Sequence, residues 1–294
     1  MSVGKEKINV LSLFDGISCG QIALERQGIK VDNYFASEID KDAIKITMAN
    51  YPKTKQLGSV VGLKTDSLPK IDLLIGGSPC QSFSSVGNGS GFDGKSGLFW
   101  EYVRILKEVK PKYFLLENVS MKKEWEDIIS DALGVKPIKI NSKLLSAQNR
   151  PRLYWTNISN VIEPKDKGIT IEYKDEWFNE IDTVPFVKTK LKNWETMGCF
   201  FNPYNKAILK DKTPTLTATG NRQTTSASIM FNDNGVLKMA NSKYWEVLQT
   251  LPNDYTKGYS ENIRKNAIGN GWTVDTVAFI FSFLKGENFN NFEI

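Results

Sequence analysis

The 294-residue chain contains no histidine. That absence excludes Ser–His and Cys–His nucleophile pairs and every His-ligated metal site. Catalytic proton transfer must then fall to a carboxylate, an amine, a phenol, a thiol or water. Cysteine is scarce as well. Cys19, Cys80 and Cys199 are scattered and odd in number, which excludes a disulfide framework and any Cys-pair zinc spacing. The longest apolar stretch, around Val277–Leu284, falls far short of the ~20 residues that cross a bilayer. The N-terminus has neither the apolar segment nor the cleavage site of a secretory signal. A cytoplasmic protein without metal or membrane association is expected.

The chain carries a net charge of +5, which suits a polyanionic partner. The distribution says more than the total. Between Glu163 and Asp182 seven acidic residues face three lysines. Between Lys188 and Arg222 seven basic residues (Lys188, Lys190, Lys192, Lys206, Lys210, Lys212 and Arg222) face two acidic ones. A basic face in the later segment and an ordinary solvated surface both fit these counts.

The first 120 residues alternate apolar runs with amphipathic stretches. Ile8–Phe14 reads as a buried strand that ends in a glycine-containing turn, and Cys19–Gln27 as a helix stopped by Gly28. A second strand, Tyr34–Ser37, ends at Glu38, and the helix Lys41–Asn50 follows it. The third strand, Ile71–Ile75, runs into Gly76-Gly-Ser-Pro-Cys80. Leu98, Phe99, Tyr102, Val103, Leu106 and Val109 form a helical stripe closed by Pro111. A fourth strand, Tyr113–Leu116, leads to Glu117-Asn-Val119. Repeated β–α units predict a doubly wound α/β sheet whose site lies at the carboxyl ends of its strands. From about Thr156 to Val236 this rhythm is lost, and a small, irregular, mostly β domain is expected. Helical patterning returns from Met239. The expected organisation is therefore 1–156 as the main domain, 157–236 as the smaller one, and 237–294 as a return segment completing the first.

Each polar motif falls at the end of a strand. Phe14-Asp15-Gly16 and Ser18, with Glu38 at the end of the next strand, fit a nucleotide-like ligand: the glycine turn permits close approach and the carboxylate accepts from ribose hydroxyls. The pattern suits a dinucleotide, S-adenosyl-L-methionine (AdoMet) or merely a tight turn, and the lack of GxGxxG favours AdoMet. Asp66 is a candidate for an adenine amino group, or else a surface cap. Cys80, directly after Pro79 at the exit of a buried strand, is placed as a nucleophile rather than as core filling. Five glycines between Gly87 and Gly97 make the following run a candidate lid, or a loose surface loop. Glu117, the pair Arg150 and Arg152, and Asn266-Ala-Ile-Gly-Asn-Gly271 complete the set.

In order and spacing these segments resemble the C5-cytosine DNA methyltransferase family. The match runs from about Ile8 to Leu284 and includes Phe-x-Gly, Glu38, Asp66, Pro79-Cys80-Gln81, Glu117-Asn118-Val119, Gln148-x-Arg150-x-Arg152 and Gly269-Asn270. Two departures are Cys19, where many members have glycine, and Gly271-Trp272 after Gly-Asn. The resemblance implies a Rossmann-like AdoMet-binding methyltransferase sheet with a second, small target-recognition domain. It implies methyl transfer from AdoMet to carbon 5 of a flipped-out cytosine in double-stranded DNA, by a monomer, as in bacterial or phage DNA modification and restriction–modification systems. Cys80, Glu117, Arg150 and Arg152 become the catalytic set. Phe14, Asp15, Gly16, Ser18, Glu38, Ile39, Asp66, Ser67, Pro79, Asn270 and Trp272 become the cofactor set. Gln81, Ser84, Ser85 and Arg222 become DNA contacts, with Thr213–Arg222 resembling the base-reading loop. An RNA-acting relative on the same motifs, or a non-catalytic DNA-binding one, are the rival readings.

Overall fold

The computed structural model describes residues 7–79, 97–181, 198–205, 207–218, 222 and 225–284. The packing divides the chain into two compact units: Met1–Ile140, Pro151–Pro164 and Thr276–Ile294 form one, and Asn141–Arg150 and Lys165–Asp275 the other.

The first unit is built on a seven-stranded sheet in the order β3-β2-β1-β4-β5-β7-β6. Its strands are β1 (Ile8–Leu13), β2 (Val31–Ser37), β3 (Lys55–Gln56), β4 (Leu73–Gly76), β5 (Tyr113–Val119), β6 (Ile138–Asn141) and β7 (Pro151–Thr156). β1 through β5 pair in parallel, whereas β7 runs antiparallel to β5. The sheet is thus doubly wound and mixed. Near-continuous burial of Val10–Leu13, Leu73–Gly76 and Tyr113–Glu117 is what a sheet covered on both faces requires. Strand order reverses between β1 and β4, so their carboxyl ends flank the crevice where such sheets hold ligands.

The helices α1 (Cys19–Arg26), α2 (Lys41–Asn50), α3 (Phe99–Val109) and α4 (Lys123–Leu133) belong to this unit. Asp40 starts α2 by accepting from the amides of Asp42 and Ala43, which satisfies two of the helix's otherwise unbonded donors. α3 buries Phe99, Tyr102, Val103 and Ile105, and it ends at Lys110 in a left-handed conformation before Pro111. Gly76 has no room for a side chain: a Cβ there would lie 3.0 Å from the Leu13 carbonyl and from the Tyr102 ring. That close approach lets β1, β4 and α3 meet beneath the crevice.

The second unit contains the antiparallel sheet β10-β9-β11-β12-β8, made of β8 (Phe178–Glu180), β9 (Cys199–Asn202), β10 (Ala207–Leu209), β11 (Met230–Asp233) and β12 (Val236–Ala240). One face buries Phe201, Met230, Leu237 and Met239. Elsewhere the unit stacks Tyr173 on Phe231 at 4.0 Å and Trp177 on Tyr244 at 5.2 Å. The helices α5 (Ser242–Leu248) and α6 (Glu261–Asn270) group with this sheet, and α7 (Val274–Ser282) begins at its boundary. The return segment expected from residue 237 is therefore shared. Through Asp275 it packs with the β-rich unit, partly because Lys265 on α6 donates to the Ala240 carbonyl at 2.7 Å and Arg264 pairs with the buried Glu246 at 3.0 Å.

Candidate active site

The turn after β1 is held in an unusual backbone conformation. Phe14, Gly16 and Ser18 all have φ of +57°, which costs a non-glycine residue energy and persists only where its surroundings impose it. Asp15 imposes it. Its carboxylate accepts from the Ser18 hydroxyl and from the Tyr34 hydroxyl (2.8 Å), tying the turn to β2. Burial raises the Asp15 pKa to about 6 despite hydrogen bonds from Ser12, Ser18 and Tyr34, and the charge on Glu38 adds to the rise.

Glu38 ends β2 beside this turn. One carboxylate oxygen accepts from the Gly16 amide at 2.7 Å, and the other from the amides of Ile39 (2.7 Å) and Asp40 (2.8 Å). These bonds fix the group and leave an acceptor site, on the oxygen that accepts from Gly16, for a ribose hydroxyl. Next to it the Ile39 side chain is 73% exposed, an uncovered apolar surface suited to a planar ring. Gly16 faces open space, with no atom within 4 Å of the place a Cβ would occupy. A ribose acceptor, an apolar platform and a side-chain-free approach fit AdoMet. Asp15, by contrast, spends its carboxylate inside the turn.

Asp66 and Ser67 are exposed on the loop before β4. That loop is tethered from α3. The guanidinium of Arg104 donates to the carbonyls of Val60 and Leu63 (both 3.3 Å) and pairs with Glu101 (2.7 Å) and Glu108 (2.8 Å), and Glu108 accepts from Thr65 at 2.8 Å. Sequence reasoning missed Arg104, since a polar residue on an amphipathic helix carries no signal of what it grips.

On the other side of the switch point, β5 presents Glu117 and Asn118. Glu117 is buried and pairs with Arg152 Nε at 2.8 Å; the two side chains are 11% and 12% exposed. The β5–β7 register sets Glu117 opposite Tyr154 and Val119 opposite Arg152, so Glu117 and Arg152 meet on the diagonal of an antiparallel pair. Arg152 also donates to its neighbour's carbonyl, that of Pro151. Asn118 points the other way. Its amide donates to the Ser78 hydroxyl (3.1 Å) and carbonyl (3.3 Å), pinning the chain two residues before Cys80. Pro79 is half-buried at the end of this strand exit. Cys80, Gln81, Ser84, Ser85 and the glycine run to residue 96 lie outside the described residues. Cys19 is buried at the first position of α1.

Arg150 belongs to the second unit. It is buried and donates to the carbonyls of Leu216 (2.7 Å), Gly271 (2.8 Å) and Gly269 (3.3 Å). Asn270, the last residue of α6, is exposed, and Trp272, on the turn that follows, is half-buried. Arg222 is exposed, and its carbonyl accepts from Ser228 at 3.4 Å. The buried Asn202 of β9 anchors the following turn through the carbonyls of Ser226 and Ser228. Of the seven basic residues counted between 188 and 222, Lys212 is not available to a ligand. Its ammonium is spent on the carbonyls of Lys143, Ser146 and Ile169. Lys210 remains exposed; Lys188, Lys190, Lys192 and Lys206 lie outside the described residues. Among the described residues there is no cluster of metal-ligating side chains and no helix long and apolar enough to cross a membrane.

Residues 8–160 match the family model described as C-5 cytosine-specific DNA methylase. The chain belongs to this family. It is 37% identical over 184 residues to the orphan methyltransferase M.SPRI of Bacillus phage SPR, an alignment covering 58% of this chain and 42% of that protein. It is 32% identical over 239 residues to the type II methyltransferase M.NgoBV of Neisseria gonorrhoeae, covering 70% of this chain and 54% of the relative. The chain thus spans about half the length, or less, of these curated relatives. Its fold matches the crystal structure of S. pombe Dnmt2 methyltransferase with a TM-score of 0.69, at 17% identity over 95% of this chain and 98% of that one. In this C-5 cytosine methylase fold the motif residues of the first unit gather at the strand ends as doubly wound topology requires: Phe14–Ser18 with Glu38, and Glu117 with Arg152.

Proposed function

We propose that the protein transfers a methyl group to carbon 5 of cytosine in double-stranded DNA, with Cys80 as covalent nucleophile. The observation that carries this reading is the pairing around β5. Glu117 and Arg152 form a fixed carboxylate–guanidinium pair, and the adjacent Asn118 holds the residue two before Cys80. Strand β5 thereby links Ser78, two residues before the nucleophile, to the groups suited to grip a cytosine edge.

AdoMet, when bound, supplies an electrophilic sulfonium methyl group. Glu38, Ile39, Gly16 and Phe14 are its proposed contacts in the first unit, with Asp66 and Ser67 at its adenine end; Asn270 and Trp272 are assigned to it by family resemblance. Cytosine itself is electron-poor, so carbon 5 needs activation. The Cys80 thiolate forms a bond to carbon 6, and the displaced electron pair makes carbon 5 an enamine carbon able to accept the methyl. A proton carried between the Glu117 carboxyl group and ring nitrogen 3 neutralises the negative charge that develops there as the ring electrons shift, and the carboxyl oxygen accepts from the exocyclic amine. Arg152 holds the 2-oxo group, and its ion pair keeps Glu117 oriented. Loss of the carbon-5 proton to water then breaks the sulfur–carbon 6 bond and restores the ring.

The target carbon is inaccessible in a stacked duplex, so the base must be extruded, at a cost of a few kcal/mol. Basic residues on phosphates supply affinity, and the exposed Arg222 is the proposed base reader. The RNA-acting alternative shares every one of these groups. What favours DNA is the sequence similarity to orphan and type II methyltransferases, since the Dnmt2 likeness speaks only to fold. Incubation with labelled AdoMet and either duplex DNA or tRNA, followed by nucleoside analysis, tests this. Label in 5-methyl-2′-deoxycytidine is expected; label only in ribo-5-methylcytidine would transfer the assignment to RNA.

A further inference from the structure

The second unit contains a buried polar cluster centred on Gln249, the residue that follows α5. Gln249 is fully buried. Its Nε2 donates to the carbonyls of Ile268 and Gly271, both at 3.0 Å. Its Oε1 accepts from Gln148 Nε2 at 3.0 Å and from the Thr273 hydroxyl at 2.7 Å. A side-chain amide has two donors and two acceptor lone pairs, so these four bonds use its whole capacity. The backbone joins in, as the Val274 amide donates to the Gln249 carbonyl at 2.9 Å.

Gln148, also fully buried, passes the link onward. Its Oε1 accepts from the Leu216 amide at 2.9 Å, and Arg150 grips the Leu216 and Gly271 carbonyls from the same side. No side chain separates the two segments at their crossing. A Cβ on Gly269 would lie 2.5 Å from the carbonyl carbon and oxygen of Thr217. Ile268–Thr273 and Leu216–Ala218 are therefore backbone against backbone, fastened by amides and one guanidinium.

Exposure alternates along the first of these segments. Gly271 and Thr273 are buried, against Gln249 and Arg150, whereas Asn270 is exposed and Trp272 half-buried. The second segment leads along the chain to Arg222. We propose that Gln249 is a positioning residue that, through one amide, fixes both the turn presenting Asn270 and Trp272 and the root of the segment leading to Arg222. Cofactor affinity and DNA sequence choice then depend on the same buried side chain. This rests on the assignment of Asn270 and Trp272 to the cofactor and of Arg222 to base reading. An apolar residue of equal size would leave the Ile268 and Gly271 carbonyls, at the carboxyl end of α6, without these donors.

The test uses the full chain. Gln249→Glu is nearly isosteric and keeps both acceptor contacts, but it sets a carboxylate oxygen against two carbonyls. Thr273→Val removes a single hydroxyl. Folding is checked by circular dichroism and melting; AdoMet binding is measured by calorimetry without DNA, and methylation is profiled on a randomised duplex library at saturating AdoMet. Gln249→Glu is expected to raise the AdoMet Kd at least tenfold, and Thr273→Val about threefold. The sequence profile should flatten at the base that Arg222 reads, while kcat on the preferred site falls less than affinity does. Should Gln249→Glu fail to fold, the Thr273→Val shift in Kd decides. Folded variants with wild-type AdoMet affinity and an unaltered profile would overturn the proposal. Hydrogen exchange separates this failure from that of the functional reading. Release of Gln249 speeds exchange in both segments whatever the substrate, and unchanged exchange overturns the proposal; a wild type that takes up no AdoMet overturns the functional reading alone.

Discussion

Replacing Glu117 separates its observed role, holding Arg152, from its proposed one, stabilising the reacting ring. The ion pair spans 2.8 Å between side chains that are about one-tenth exposed. Removing one partner of such a pair strands the other charge, which costs about 3–5 kcal/mol. Glu117→Ala should therefore be severely destabilised. Glu117→Gln keeps an oxygen for Arg152 Nε and loses only the charge assistance, a difference of about 1–2 kcal/mol between charged and neutral hydrogen bonds. At about 2–4 °C per kcal/mol for a chain of this size, the melting temperature should fall by roughly 2–8 °C. Turnover should suffer far more. Loss of a preorganised group facing developing charge typically costs about 10²–10³ in kcat. Calorimetric melting, duplex-binding isotherms and single-turnover methylation would be measured on the same preparation. The expected pattern is a folded Glu117→Gln protein with DNA affinity within about threefold of wild type and kcat reduced by two to three orders of magnitude. Wild-type kcat, or a loss of DNA affinity that matches the loss of rate, would refute the reasoning and leave Glu117 as a structural partner of Arg152.

Three further outcomes follow from the geometry. Asp15 is protonated more readily in the fold than in the unfolded chain, its pKa rising from 3.8 to about 6. Its ionisation therefore opposes folding: stability contributed by this group is greatest below pH 4, falls by roughly 3 kcal/mol as pH rises to 6, and is constant above. Denaturant melts of Asp15→Asn across that window should lack this slope, and an unaltered pH profile would rule the assignment out. Arg104→Met should release the loop that carries Asp66 and raise the AdoMet Kd by up to about fivefold, the scale of partly exposed ion pairs; an unchanged Kd would deny the tether. Arg222→Ala, profiled on a randomised duplex library, should relax the choice at one base by about 1–3 kcal/mol, whereas uniformly weaker methylation with the same preference would make Arg222 a backbone clamp.

What could be read from the sequence was local. The helix Lys41–Asn50 is legible to the residue because Asp40 caps it and the chain turns before Pro52. β1, β2, β4 and β5 follow from apolar runs that end in polar motifs, and those motifs fall where doubly wound topology puts a ligand. The reading failed wherever a partner lay far along the chain. Nothing local in Leu153-Tyr-Trp155 says that β7 runs antiparallel to β5, yet that register alone brings Arg152 to Glu117. Nothing local to Asp15 shows that it holds its turn, because that needs the β1–β2 pairing to deliver Tyr34 to its carboxylate. Lys212 counts as surface charge until three backbone carbonyls from other segments surround its ammonium. Gln249 is a polar residue without a motif of its own, and only the folded second unit reveals four partners for its amide.

Covalent attack by Cys80 is the step on which the proposed mechanism depends. A duplex with fluorine at carbon 5 of the target cytosine accepts the methyl group but has no carbon-5 proton to lose, so elimination of the thiol is blocked and the protein stays attached. Intact-mass analysis of the reaction, alongside a denaturing gel, is the direct measurement. An AdoMet-dependent adduct equal to protein plus methylated strand with the wild type, and none with Cys80→Ala, is the predicted result. Methyl transfer to ordinary cytosine by Cys80→Ala, or a wild type that methylates yet never forms the adduct, would contradict it.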